Sequence, residues 1–199
     1  MEIREIQVKS ILVKSKLPAS DWVINPYRGC GHGCVWCYAR FVEDFASQRE
    51  KRLPRPWGSF VDIKINAPQV LRKQLERSSP KEWQNITTRG VFLSSATDCY
   101  QPLEAKYKLT RRILEILLEH QIPVTILTES ALVLRDLEIL KKFKNAAVGF
   151  TLITFNSQIS RWFQPQTSLP QERITALKTL HQNGLKTYIH VGPYLPEIT

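Results

Sequence analysis

Short apolar runs alternating with segments of helical period restrict the fold of this chain more than any other feature. From Trp22 onward the runs are Trp22–Asn25, Phe60–Ile65, Val91–Ser94, Val124–Thr128, Ala147–Leu152 and Lys186–Val191. Each is short, bounded by polar or turn residues, and suited to a buried strand. Between them the helical signals recur. A helix is expected from Tyr38 to about Gln48, with Phe41 and Phe45 one turn apart. Asn66 is placed to cap a helix through Leu71 and Leu75, with Pro68 in its first turn. Leu109, Ile113 and Leu117 form one helical face, and Val133, Leu137 and Leu140 another. Ser168-Leu169-Pro170-Gln171 opens a last helix through Ile174 and Leu177, which closes at Asn183-Gly184. Six strands alternating with five helices predict an α/β fold with a parallel sheet, as a barrel or as a doubly wound sheet. In either case the loops that follow the strands converge on one face. Ahead of this core of residues 22–199, residues 1–21 read as an alternating strand or hairpin (Ile3–Lys16) and a loop (Lys14–Asp21).

Three of the four cysteines fall in Cys30-Gly31-His32-Gly33-Cys34-Val35-Trp36-Cys37, spaced C-x3-C-x2-C. Glycines 29, 31 and 33 allow the turns that aim several thiols at one centre. An odd number of clustered cysteines in a chain of this length is a poor disulfide framework. A structural zinc site needs a fourth ligand, and neither His32 nor the distant Cys99 completes a standard spacing. A four-cysteine electron-transfer cluster could recruit Cys99. Three thiolates on a cubane [4Fe-4S] cluster would instead leave one iron open to another ligand.

Beyond the cysteines, Asn25-Pro26-Tyr27-Arg28-Gly29-Cys30 and Cys34-Val35-Trp36-Cys37-Tyr38-Ala39-Arg40 resemble the cluster loop of the spore-photoproduct-lyase-like branch of the radical S-adenosylmethionine (SAM) superfamily. Thr97-Asp98-Cys99-Tyr100-Gln101-Pro102 resembles a second segment of that branch. The resemblance implies an open, partial (βα)6 barrel. It implies Cys30, Cys34 and Cys37 on a [4Fe-4S] cluster whose fourth iron binds SAM. Reductive cleavage of SAM would yield a 5′-deoxyadenosyl radical that abstracts hydrogen from a substrate. Tyr38 would pack near the adenine, with Ser95, Thr97, Asp98, Thr128, Thr151 and Gly192 lining the cofactor pocket and His32 contacting the cluster loop without ligating.

Two departures stand out. Photoproduct lyases use a thiol near the Val91 strand end as hydrogen-atom donor; here Ser95 stands three residues before Asp98, and the thiol, Cys99, follows it. Cys99 is thus a candidate catalytic thiol, with a buried inert cysteine as its alternative. Relatives often carry a basic residue at the position of Glu129, where it can meet the SAM carboxylate; Lys64 or Arg40 are the candidate substitutes. The resemblance also implies a sixth helix and C-terminal extension beyond Pro193–Thr199, so the expectation is a truncated or split barrel with one flank exposed.

A hydrophobic content of 43% with five tryptophans excludes a disordered chain. The net charge of +10 favours polyanionic partners, nucleic acid among them. The proline-rich, basic segment Arg49–Gly58 reads as a surface loop. No apolar run approaches a membrane span, and Met1-Glu2-Ile3-Arg4-Glu5 is too charged for a signal peptide, so no membrane partner and a cytoplasmic location are expected. The radical chemistry would also need a one-electron donor such as flavodoxin or ferredoxin. Two other readings stand: a non-catalytic nucleic-acid-binding iron–sulfur or zinc module, and a barrel fragment needing a second chain. The oligomeric state is left open.

Overall fold

The computed structural model describes residues 1–17 and 20–197. Pro18 and Ala19 of the expected loop, and Ile198 and Thr199, lie outside them. In chain order the elements are β1 (Glu2–Ile6), β2 (Leu12–Lys14), β3 (Trp22–Ile24), β4 (Tyr27–Gly29), α1 (Ala39–Arg49), β5 (Phe60–Lys64), α2 (Ala67–Glu76), α3 (Pro80–Arg89) and β6 (Val91–Leu93). They continue with α4 (Glu104–Tyr107), α5 (Leu109–Glu119), β7 (Val124–Thr128), a 3-10 turn (Ala131–Asp136), α6 (Leu137–Leu140), β8 (Ala146–Thr151), α7 (Ser157–Phe163), α8 (Pro170–Gln182) and β9 (Lys186–His190).

The main sheet has the order β2-β3-β6-β7-β8-β9, parallel except at β2, which runs antiparallel to β3. Register places Ile24 beside Leu93, Leu93 beside Ile126, and Ile126 beside Val148. All four are fully buried, which is why these strands read as apolar runs rather than as alternation. On the helices Leu71, Leu75, Ile113, Leu117 and Leu180 close the same core. This is an α/β fold with a mostly parallel sheet, an open partial barrel.

One expected strand of the parallel array lies elsewhere. β5 belongs to a second sheet of order β1-β5-β4, where it runs antiparallel to β4. The cause is local. Pro26 has no N–H to continue the β3 ladder, and the chain bends there. Pro26 instead accepts a hydrogen bond from Lys64 N, and β4 takes β5 as its neighbour. The close approach needs glycine at 29: its φ is +77°, and a Cβ there would lie 2.4 Å from Phe60 O. The N-terminal strands likewise do not pair with one another; β1 runs parallel to β5, and β2 pairs with β3.

Three helices, α3, α4 and α7, fall outside the expected pattern. α3 has a full Ser79/Glu82 capping box, and α7 is capped by Asn156. Two expected caps serve other ends. The Asn66 side chain bridges Val8 N and O, tying α2 to the N-terminal segment. Ser168 Oγ accepts from Ala131 N, while Glu172 caps α8 at Leu169 N. At the far edge β9 pairs with β8 alone, and Ile189, Val191 and Tyr194 are exposed. Among the described residues no helix is long and apolar enough to cross a membrane.

Candidate active site

A cavity of about 350 Å³ opens at the C-terminal ends of the strands. Its wall holds Cys30, Cys34, Cys37 and Tyr38 from the loop between β4 and α1. It also holds Ser95, Thr97 and Asp98 after β6, Thr128 at the end of β7, Thr151 at the end of β8, and Gly192 after β9. Every pocket residue expected from sequence is therefore gathered there. Cys99 is not. It is fully buried in the main core, its amide bonded to Ser94 Oγ and its carbonyl to Thr110 Oγ1. Cys99 therefore occupies a core position rather than the cavity wall.

The cysteine loop is fixed by contacts from three directions. Gly31 N donates to Gln101 Oε1, Val35 N donates to Phe163 O, and His32 O accepts from Gln166 N. A Cβ on Gly58 would lie 2.9 Å from Gly33 Cα, so the loop before β5 is pressed against the cysteine loop. His32 is buried, with Nδ1 3.3 Å from Asp98 Oδ2. Burial opposes its charge, but the Asp98 carboxylate and the Cys30 sulfur outweigh it and raise its pKa well above the usual value.

Asp98 was expected to meet the cofactor. It lines the cavity, yet its oxygens accept from Thr128 Oγ1, Glu129 N and Tyr100 N as well as facing His32. Burial would raise its pKa; His32 and these donors hold it low instead. These contacts join the β6 and β7 strand ends to His32 of the cysteine loop. Thr97 is similarly engaged, donating to Gly29 O at 2.6 Å. Ser95 accepts from Asn25, and its carbonyl accepts from the Tyr38 hydroxyl.

Glu129 stands on the wall and accepts from Cys34 Sγ at 2.9 Å. Burial, then Glu129, push the Cys34 thiol up; burial pushes Cys37 up to about 12. Neither candidate substitute cation lines the cavity. Lys64 Nζ is bonded to Asn25 O, and burial draws its pKa down to about 8. Arg40 is exposed and lies over the Phe41 ring. Behind the wall residue Thr151 lies Arg173, fully buried and bonded to Thr151 O, Ser168 O, Gln164 and Thr167.

Sequence reasoning missed Trp57 and His190, both on the wall. His190 could have been found from its place at the end of the last strand. Ser94, which heads the run of hydroxyls after the Val91 strand, also lines the wall, and its φ of +80° is unusual for a non-glycine residue. Trp57 precedes Gly58, whose close approach to Gly33 brings this loop against the cysteine loop.

The donor set fits a cluster. All four cysteines are free, three of them share the cavity, and the buried Trp57 Nε1 beside them has no acceptor among the described residues. Among the described residues no three His, Cys, Asp or Glu side chains converge as ligands of one metal ion. Three thiols spread along one cavity suit a cubane, which offers each thiolate its own iron corner.

Fold and site define the chain as an α/β protein with a three-thiol cavity at the strand ends. Residues 24–199 match the family model described as Radical SAM superfamily, and the chain belongs to that family. Membership implies an enzyme that uses SAM and a [4Fe-4S] cluster. An uncharacterized protein of Methanocaldococcus jannaschii is 34% identical over 198 residues, covering 100% of this chain and 70% of that protein. A Radical SAM Nalpha-GlyT isomerase of Pseudomonas phage M6 is 25% identical, covering 87% of this chain and 33% of its own length. The fold matches the solved structure of spore photoproduct lyase complexed with dinucleoside spore photoproduct, with a TM-score of 0.70 at 14% identity. That match covers 98% of this chain and 52% of the other, so the chain spans about half of the lyase.

Proposed function

We propose that this chain is the core of a radical SAM enzyme acting on nucleic acid, with Cys30, Cys34 and Cys37 as the cluster ligands. The observation that carries the reading is the convergence of these three thiols with Ser95, Thr128, Thr151 and Gly192 on one cavity. When bound, the cluster supplies the electron that cleaves SAM to a 5′-deoxyadenosyl radical able to abstract hydrogen from the substrate. The chain's own residues hold and screen this chemistry. Trp36, Tyr38 and Trp57 give the cavity aromatic walls that limit water. Asp98 and His32 keep the cysteine loop in register with the strand ends. A one-electron donor such as flavodoxin or ferredoxin completes the system, and a cytoplasmic setting suits reduced thiols.

The net charge of +10 supports a nucleic acid substrate, as does the fold likeness to an enzyme solved with a dinucleoside. The basic segment Arg49–Gly58 is a weaker part of that support. Arg52 is bound to Glu43 and Glu50, and Arg55 to Asp62 and Glu43. Phosphate contacts would fall to cations outside this network.

The reading is tested by anaerobic reconstitution with iron and sulfide, then addition of dithionite and SAM. Formation of 5′-deoxyadenosine is expected, and an intact reduced cluster that yields none would sink the catalytic claim. Cys34→Ala is expected to abolish iron uptake, whereas Cys99→Ala retains it. Loss in both variants would favour a four-cysteine site.

A further inference from the structure

Helix α1 is inside out. It buries Ala39, Glu43 and Ser47 and turns Phe41, Val42 and Phe45 to solvent, with Phe45 73% exposed. With the exposed Tyr38 these residues sit at i, i+3, i+4 and i+7, one continuous stripe. Leu53, exposed in the following loop, adds to the same stretch of chain. An unpaired apolar stripe of this kind marks a contact surface.

Its charges are one-sided. Arg40, Arg49 and Lys51 are exposed on or beside the helix. Of the nearby carboxylates, Glu43 is buried against Arg28, Arg52 and Arg55, Glu50 is bound to Arg28 and Arg52, and Asp44 is half-buried. An apolar centre within a basic rim complements an acidic partner that carries its own apolar spot. Position narrows the partner further. The stripe begins at Tyr38, one residue after Cys37, and Arg40 N donates to Cys37 O. It is therefore surface directly continuous with the thiol loop.

We propose that this stripe is the docking surface for an acidic one-electron carrier protein of the flavodoxin or ferredoxin kind. The inference rests on the radical SAM reading, because reductive cleavage of SAM needs one electron from outside the chain. The carrier is oxidised by one electron and the cluster is reduced by one.

The test compares reconstituted wild type with a Phe41→Ser, Phe45→Ser double variant, whose positions are exposed and outside the cavity wall. Bleaching of the cluster's visible absorbance is followed anaerobically with reduced flavodoxin, reduced ferredoxin or dithionite. The expected result is an unchanged rate with dithionite and a loss of about tenfold with the protein donors, the scale of a truncated aromatic anchor. Added salt should slow the wild-type reaction with the protein donors alone. Equal rates with the carriers in both proteins would overturn the proposal. So would a wild type bleached by dithionite but by neither carrier, or a variant slowed with dithionite. A wild-type dimer dissolved by the variant would assign the stripe to a second copy and overturn it. Loss of binding to a DNA oligonucleotide with carrier reduction intact would do the same. A wild type that takes up no cluster defeats the functional reading instead, and is seen before any carrier is added.

Discussion

Helices α1 and α5 are both 11 residues long and obey opposite rules. α5 packs Leu109, Ile113, Leu114, Ile116 and Leu117 into the core and leaves Arg112, Glu115 and Glu119 outside. α1 does the reverse, holding itself down through a carboxylate while its aromatic residues face out. The contrast shows that α5 is bound by area removed from water and α1 by a charge network. Glu43 links Arg28 of β4 to Arg52 and Arg55 of the loop before β5, and Arg55 continues to Asp62. The helix beside the thiols is therefore positioned without use of its apolar face, which stays available for contact.

Four outcomes would sharpen or break that contrast. The largest is expected in α5: Leu117→Ala should lower unfolding free energy by about 3 kcal/mol in urea titration, as for a fully buried leucine. Glu43→Gln in α1 should cost about 2 kcal/mol. It removes the common partner of three arginines, though these keep Glu50 and Asp62, so the loss is below that of an isolated buried pair. A cost near zero would mean that the network does not hold α1.

The third outcome is a pH effect. Hydrogen bonds from Arg28 and Arg52 lower the Glu50 pKa from 4.5 to about 2. Glu43, opposed by burial but bound by the same arginines, is lowered too. Depressed folded-state values mean stability that is complete above pH 4.5 and lost as pH falls toward about 2. Acid titration of Glu43→Gln should accordingly show a shallower decline than wild type; parallel curves would remove the network from the account. Smallest of all, Phe45→Ser should shift unfolding by no more than about 0.5 kcal/mol, because the ring leaves little behind in the fold. A loss near that of Leu117→Ala would show that the α1 face is packed in solution.

Much of the site was legible because it is local. The spacing of Cys30, Cys34 and Cys37 is set by the chain itself, and the strand-end rule brought Thr128, Thr151 and Gly192 to the same wall. Less legible were the places where a side chain had two partners to choose between. Asn66 and Ser168 stand at helix starts, as read, yet bond to segments distant in sequence. Cys99 sits next to a cavity residue, Asp98, but the turn sends its thiol to the core.

The sequence by itself determined the alternation of strands and helices, the trio of thiols and the family, since hydrophobic period and covalent spacing act over short distances. Only the tertiary structure decided that β5 leaves the main sheet, that Glu129 meets Cys34, and that α1 turns its aromatics outward. Each of those depends on which distant groups share a buried contact, and a helical period shows a stripe without saying what covers it.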